Sequence, residues 1–203
     1  EISSKDQAIA LIRRAKKVLC VTKERASGDG ICSVLAMQRV FNQQKKDSYC
    51  VVAEGINKNF KFLKGVENVQ TDLGENGDFV ISISTEATEV ERVKYTIEET
   101  SVDILVTPKS GNFSSSDVKF RQNVGDFDLI LVFDAPNLES LGSLFENHTK
   151  LFSSVPVVNI ASSPANEYFG KVNVVEPQKS SCTEIVYDLI SEIPAFAEQM
   201  DKE

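Results

Sequence analysis

Two hydrophobic periods take turns along this chain, a helical one at both ends and a strictly alternating one in the middle. Ala8, Leu11, Ile12 and Ala15 recur at helical spacing, and Ser4 with Gln7 has the form of a capping box, so a first helix is expected to open at Ser4. Residues 18–22 form a short apolar, partly β-branched run, the pattern of a strand buried on both faces. The turn formers Ala26-Ser27-Gly28-Asp29-Gly30 follow at once. Val34, Met37 and Phe41 then predict a second helix that ends in the polar run 43–47, and residues 49–53 read as the next buried strand. Strand, helix and strand in this order make a parallel, right-handed crossover.

In the middle third the period drops to two. Phe79, Ile81 and Ile83 alternate with Val80, Ser82 and Ser84, then Val93, Tyr95 and Ile97 with Lys94, Thr96 and Glu98, and Val102, Ile104 and Val106 take alternate positions again. No helical pattern interrupts residues 77–125, so consecutive strands in an antiparallel meander are expected there. The α/β pattern then resumes with buried strands at 128–133 and 155–160, and with a last helix capped by Ser181 and Glu184 that buries Ile185, Leu189 and Ile190. The expected fold class is therefore α/β, a mostly parallel sheet flanked by helices with an antiparallel β insert in the middle third. Residues 1–193 read as one α/β domain carrying the insert at about 77–125, and 194–203 as a polar tail or the start of a linker to a second domain.

Composition narrows the function classes. Across 203 residues, 22 basic side chains face 30 acidic ones for a formal charge of −8, which repels a phosphate backbone and makes nucleic acid an unexpected partner. Arg13, Arg14, Lys16 and Lys17 do cluster, but at the end of the first helix, where cations complement the dipole. Cys20, Cys32, Cys50 and Cys182 form no CxxC pair, so neither a disulfide framework nor a zinc site is expected, and a reducing cytoplasm is the natural setting. No run approaches the roughly 18 apolar residues of a membrane span.

Ligands in open parallel sheets collect beyond the carboxyl ends of the strands, so Asp29, Asp134 and the segment Ala161-Ser162-Ser163 are expected to converge. The turn Ser27-Gly28-Asp29-Gly30 could cradle a phosphate at a helix N-terminus, or be a plain strand-to-helix turn with Asp29 as cap. Ser162 and Ser163 are poor nucleophile candidates, because serine catalysis needs a base and the sole histidine, His148, lies in a polar stretch far from every motif.

Three segments carry a resemblance that spans almost the whole chain. The first is Val21-Thr22-Lys23-Glu24-Arg25-Ala26-Ser27-Gly28-Asp29-Gly30-Ile31-Cys32-Ser33, the second Asp128-Leu129-Ile130-Leu131-Val132-Phe133-Asp134 followed by residues 137–142, and the third Val158-Asn159-Ile160-Ala161-Ser162-Ser163-Pro164-Ala165-Asn166. In order and spacing they resemble the motifs of the DHH superfamily of phosphoesterases, in particular the first domain of bacterial oligoribonucleases and cyclic-dinucleotide phosphodiesterases. The flank 180–187 is similar too, whereas a fourth family motif has no counterpart after Tyr187.

The resemblance implies a site built for two manganese ions, held by carboxylates and imidazoles that activate a water against a phosphoester. At the matching positions the family's histidine is Lys23, its first aspartate is Ser27, and its Asp-His-His signature is Ala161-Ser162-Ser163. Asp29 and Asp134 remain as candidate metal ligands, and two carboxylates without imidazole hold a divalent ion weakly. An ammonium at Lys23 could replace the lost positive charge by pairing with Asp134 or Asp29. The expectation is thus a catalytically silent, cofactor-free relative, with Lys23, Ser27, Asp29, Asp134, Ala161, Ser162, Ser163 and Asn166 as vestigial positions, that works by binding a partner protein or by self-association. The alternatives are manganese-dependent hydrolysis of short oligonucleotides or cyclic dinucleotides through Asp29, Asp134 and Glu176, and nucleotide sensing without hydrolysis.

Overall fold

The computed structural model describes residues 2–73, 79–122 and 127–194. The chain divides into two compact units, Glu1–Leu73 with Asp126–Glu203, and Gly74–Gly125 between them. Of the expected terminal tail, residues 195–203 lie outside the described residues.

The first unit contains, in chain order, α1 (Ser4–Arg14), β1 (Lys17–Thr22), α2 (Gly28–Gln43), β2 (Asp47–Val51), then after the insert β7 (Leu129–Phe133), α3 (Ser143–Asn147), α4 (Thr149–Ser154), β8 (Val157–Ala161), β9 (Val172–Val175) and α5 (Cys182–Ser191). Its strands form one sheet in the order β2-β1-β7-β8-β9, every neighbouring pair parallel. Every residue of β7 and β8 is buried, which is why these strands read as unbroken apolar runs rather than alternating ones. Val18, Cys20, Leu129, Leu131, Phe133, Val158 and Ile160 share one core with α1, α2 and α5. Leu19, Val21, Ile130 and Val132, pointing to the other face, are fully buried as well. Right-handed crossovers explain the two layers: β1 to β2 and β7 to β8 step in opposite directions, which sends α2 to one face and α3 with α4 to the other.

Element boundaries moved where side chains, rather than hydrophobic period, set them. The N-cap of α1 is Ser3, not Ser4, because the Ser3 hydroxyl accepts the Asp6 amide at 3.1 Å. β2 begins at Asp47 inside the polar run assigned to a helix end. Lys46 accounts for the shift: its ammonium donates to the carbonyl oxygens of Ile12, Arg13 and Ala15 at 2.6, 3.0 and 2.9 Å, closing the last turn of α1 and seating the start of β2 beside β1. The four-residue β9 and the short α3 and α4 were not anticipated, being too brief to show a period.

The second unit contains β3 (Phe79–Ile83), β4 (Val90–Ile97), β5 (Val102–Pro108) and β6 (Val118–Gln122). It is antiparallel, but not a meander. β4 pairs with β5, while β3 pairs with β6, so one hairpin is nested between the strands of a second ribbon. The fourth strand was overlooked although Val118 and Phe120 flank a lysine in the same alternation. Without it, β3 had no other neighbour than β4.

Candidate functional site

The sheet changes direction between β1 and β7: from β1 the chain steps outward to β2, and from β7 it steps the other way to β8. A crevice forms at the carboxyl ends of such strands. Thr22 and Phe133 are register partners, so the residues that follow them, Lys23 and Asp134, emerge side by side. Asp134 adopts a left-handed backbone (φ 50), which aspartate tolerates better than most residues, and its amide donates to the Ile160 carbonyl at 3.0 Å. The loop after β1 is pinned to the turn after β7 by the Glu24 amide, 2.8 Å from the Ser140 carbonyl.

Asp134 is already neutralised from within the chain. Lys23 Nζ donates to Asp134 Oδ2 at 2.8 Å, and Ser27 Oγ donates to the same oxygen at 2.5 Å. Ser27 is also the N-cap of α2, its hydroxyl accepting the Gly30 amide at 3.0 Å. The pair is only partly open to water, with side-chain exposures of 30% for Lys23 and 15% for Asp134. Gly30 permits the close fit: a Cβ there would collide with the Thr22 hydroxyl and lie 3.6 Å from Asp134 Cβ. Thr22 Oγ1 itself is buried and, among the described residues, has no hydrogen-bond partner.

Asp29 serves a different helix from the one it sits on. Its Oδ2 accepts the Cys182 amide at 2.7 Å, and its Oδ1 accepts the Thr183 amide and hydroxyl at 2.8 and 2.6 Å. It thus places a negative charge on the first turn of α5, where the helix dipole favours it. The reading of Asp29 as cap of its own turn is corrected accordingly, since Ser27 fills that role. Ser181 caps α5 through the Glu184 amide at 3.0 Å, as the capping-box pattern required, while the Glu184 carboxylate turns to the Ser180 hydroxyl and amide and to Lys179. Those three contacts, the Ser180 hydroxyl first, hold Glu184 down at about 2. The Cys182 thiol, donating to the Ile160 carbonyl at 3.1 Å, is pushed up to about 12, chiefly by burial, with the Asp29 and Asp134 carboxylates adding to it. It stays a thiol at neutral pH.

The remaining expected positions are taken up by the backbone. Ala161 closes β8. Ser162 and Ser163 are half-buried beyond it, Ser163 Oγ accepting the Ala165 amide at 3.3 Å, and among the described residues neither bonds to Lys23, Ser27, Asp29 or Asp134. Buried Asn166 donates to the Ala135 carbonyl at 2.8 Å, exchanges hydrogen bonds with Asn159 and accepts the Tyr168 amide at 2.8 Å, so its polar atoms brace the exit of β7 against the loop after β8. Glu176 has its amide on the Ala161 carbonyl and its carboxylate 3.5 Å from Gln178. His148 is a half-buried residue at the junction of α3 and α4. Sequence reasoning missed Thr183 and Ser140; both lay in matching segments, but nothing marked the Thr183 hydroxyl as an Asp29 partner or the Ser140 carbonyl as the acceptor for Glu24.

A pair of manganese ions does not fit this donor set. The oxygens of Asp29 already accept three donors and one oxygen of Asp134 accepts two. Among the described residues no group of three or more His, Cys, Asp or Glu side chains is placed to hold a metal. Beside the turn, at the ends of β1 and β2, lies a cleft of about 630 Å³ lined by Glu24, Arg25, Glu54, Asn57, Lys58 and their neighbours, with acids and bases in balance.

No protein-family model matches the sequence, and no curated protein matches it. Among solved structures the chain is similar to an exopolyphosphatase-related protein from Bacteroides fragilis, with a TM-score of 0.63 and 16% identity over 96% of this chain and 45% of that one. The chain thus spans less than half the length of that protein, and at this identity the likeness is one of fold: a parallel α/β sheet with helices on its faces and an antiparallel β portion in mid-chain.

Proposed function

We propose that this chain is a phosphoesterase-like domain that performs no phosphoester hydrolysis and acts as a protein-interaction or assembly module. The observation that carries the reading is the closed set Lys23–Asp134–Ser27, in which an ammonium and a hydroxyl occupy the carboxylate that metal chemistry would require. A metal-activated water needs open ligand positions on charged oxygens. Here the ligands that match the family's motifs are spent on a lysine, a serine and the first turn of α5. The four unpaired cysteines fit a reducing compartment such as the cytoplasm. Among the described residues no helix is long and apolar enough to cross a membrane.

The competing reading is a manganese-dependent phosphodiesterase, favoured by the name of the fold neighbour and by the position of Asp134 at the switch point. Purified chain incubated with excess manganese and short oligonucleotides or cyclic dinucleotides separates the two. The proposal expects no turnover above that of Asp134→Asn. Hydrolysis that disappears in Asp134→Asn would overturn it.

A further inference from the structure

The nested hairpin of the insert has a face made entirely of apolar side chains. Val93 pairs with Val106, Tyr95 with Ile104 and Ile97 with Val102 across the β4–β5 ribbon. Because alternate residues share a face, these six form one continuous ladder. Arg92, Lys94, Thr96, Asp103, Leu105 and Thr107 occupy the opposite face. The ladder stands in water: Val93 is 58% exposed, Tyr95 72%, Ile97 71%, Val102 59% and Ile104 45%. Neither β4 nor β5 has a further strand neighbour among the described residues. A lone two-stranded ribbon is marginal in water, and a contiguous apolar patch of this kind marks a surface that meets protein.

We infer that this face packs against the same face of a second copy of the chain, the two ribbons stacked antiparallel about a two-fold axis beside Tyr95 and Ile104. The inference rests on the interaction-module reading above and names its partner. Two features favour a second copy. First, area: the exposed parts of the ladder amount to on the order of 500 Å² per chain, so two copies bury about 1,000 Å², the lower bound for a specific interface. Second, charge: the turn end of the ribbon carries Glu98, Glu99 and Asp103, whereas at the other end Arg92, Lys94 and Lys109 outnumber Glu89 and Glu91, with Lys109 paired to Glu89 at 2.8 Å. Antiparallel stacking keeps the two acidic tips apart, while parallel stacking would set acid against acid.

The test is the mass of the full chain in solution by light scattering over a dilution series, for wild type, Tyr95→Lys, Ile104→Lys and Leu105→Lys, with circular dichroism as the check on folding. Wild type and Leu105→Lys, whose new charge lies on the polar face, are expected to run as dimers. Tyr95→Lys and Ile104→Lys are expected to raise the dimer dissociation constant about tenfold or more, each being single but central in the ladder. A monomeric wild type at every concentration, or a dimer indifferent to both ladder substitutions, overturns the inference. Should the ladder variants not fold, charge reversal at the tip, Glu98→Lys with Glu99→Lys, takes their place and must weaken the dimer. Manganese-dependent hydrolysis would overturn the interaction-module reading by itself, whereas an inactive monomer would overturn only the choice of partner.

Discussion

The carboxyl-end rim of the parallel sheet and the ribbon of the insert treat their side chains in opposite ways. At the rim, groups suited to reach outward are turned inward: Asp134 toward Lys23 and Ser27, Asp29 toward α5, Asn166 toward the backbone at Ala135. On the ribbon, groups suited to a core point into water. A ligand-binding surface needs unsatisfied polar groups, and a docking surface needs uncovered apolar ones. At the rim the polar groups are satisfied within the chain, and on the ribbon the apolar ones are uncovered.

The widest separation between the regions is in core packing. Leu131→Ala, in the middle of the sheet, is expected to cost about 2–5 kcal/mol, against less than about 1 kcal/mol for Ile104→Ala. Urea unfolding at high dilution measures both, and equal costs would mean that the ribbon face is covered within the same chain. Next comes Asp29→Ala, which leaves the Cys182 and Thr183 amides without their acceptor and should cost about 2–3 kcal/mol; a neutral effect would show Asp29 to be free for other chemistry. Asp134→Ala strands the Lys23 ammonium, and because Lys23 keeps 30% exposure the penalty is set below that of a fully buried pair, at about 1–2 kcal/mol.

The smallest effect is one of pH. Glu184 has its folded pKa depressed from 4.5 to about 2, so its contribution is fully present above about pH 4.5 and is lost as pH falls toward 2. The urea midpoint of Glu184→Gln should therefore vary less than that of wild type across this window. Parallel profiles would remove Glu184 from the hold on α5.

How far the sequence could be read follows from what each element depends on. Strands buried on both faces, such as β7 and β8, announce themselves as apolar runs because every position shares one requirement. The crossover from β1 to β2 follows from that order alone, whereas the switch point depends on β7 pairing with β1 across the insert. The pairing of Lys23 with an aspartate was legible from charge balance at matching positions, but the choice of Asp134 was not. It depends on Asp29 being occupied by the Cys182 and Thr183 amides, more than 150 residues along the chain. Strand pairing in the insert was misread for the same reason. Alternation reports which face a residue takes and says nothing of which strand lies beside it, so the nesting of β4–β5 inside β3–β6 had no local signal. Lys46, a cap for a helix thirty residues upstream, looked like any lysine of a polar run.

The central claim, that a lysine, a serine and a helix terminus have taken the place of the metals, is met most directly by calorimetric titration of manganese into the purified full chain, with Asp134→Asn alongside. The account predicts no saturable heat up to millimolar manganese in either protein. Stoichiometric binding of two ions at micromolar concentration, abolished in Asp134→Asn, would contradict it.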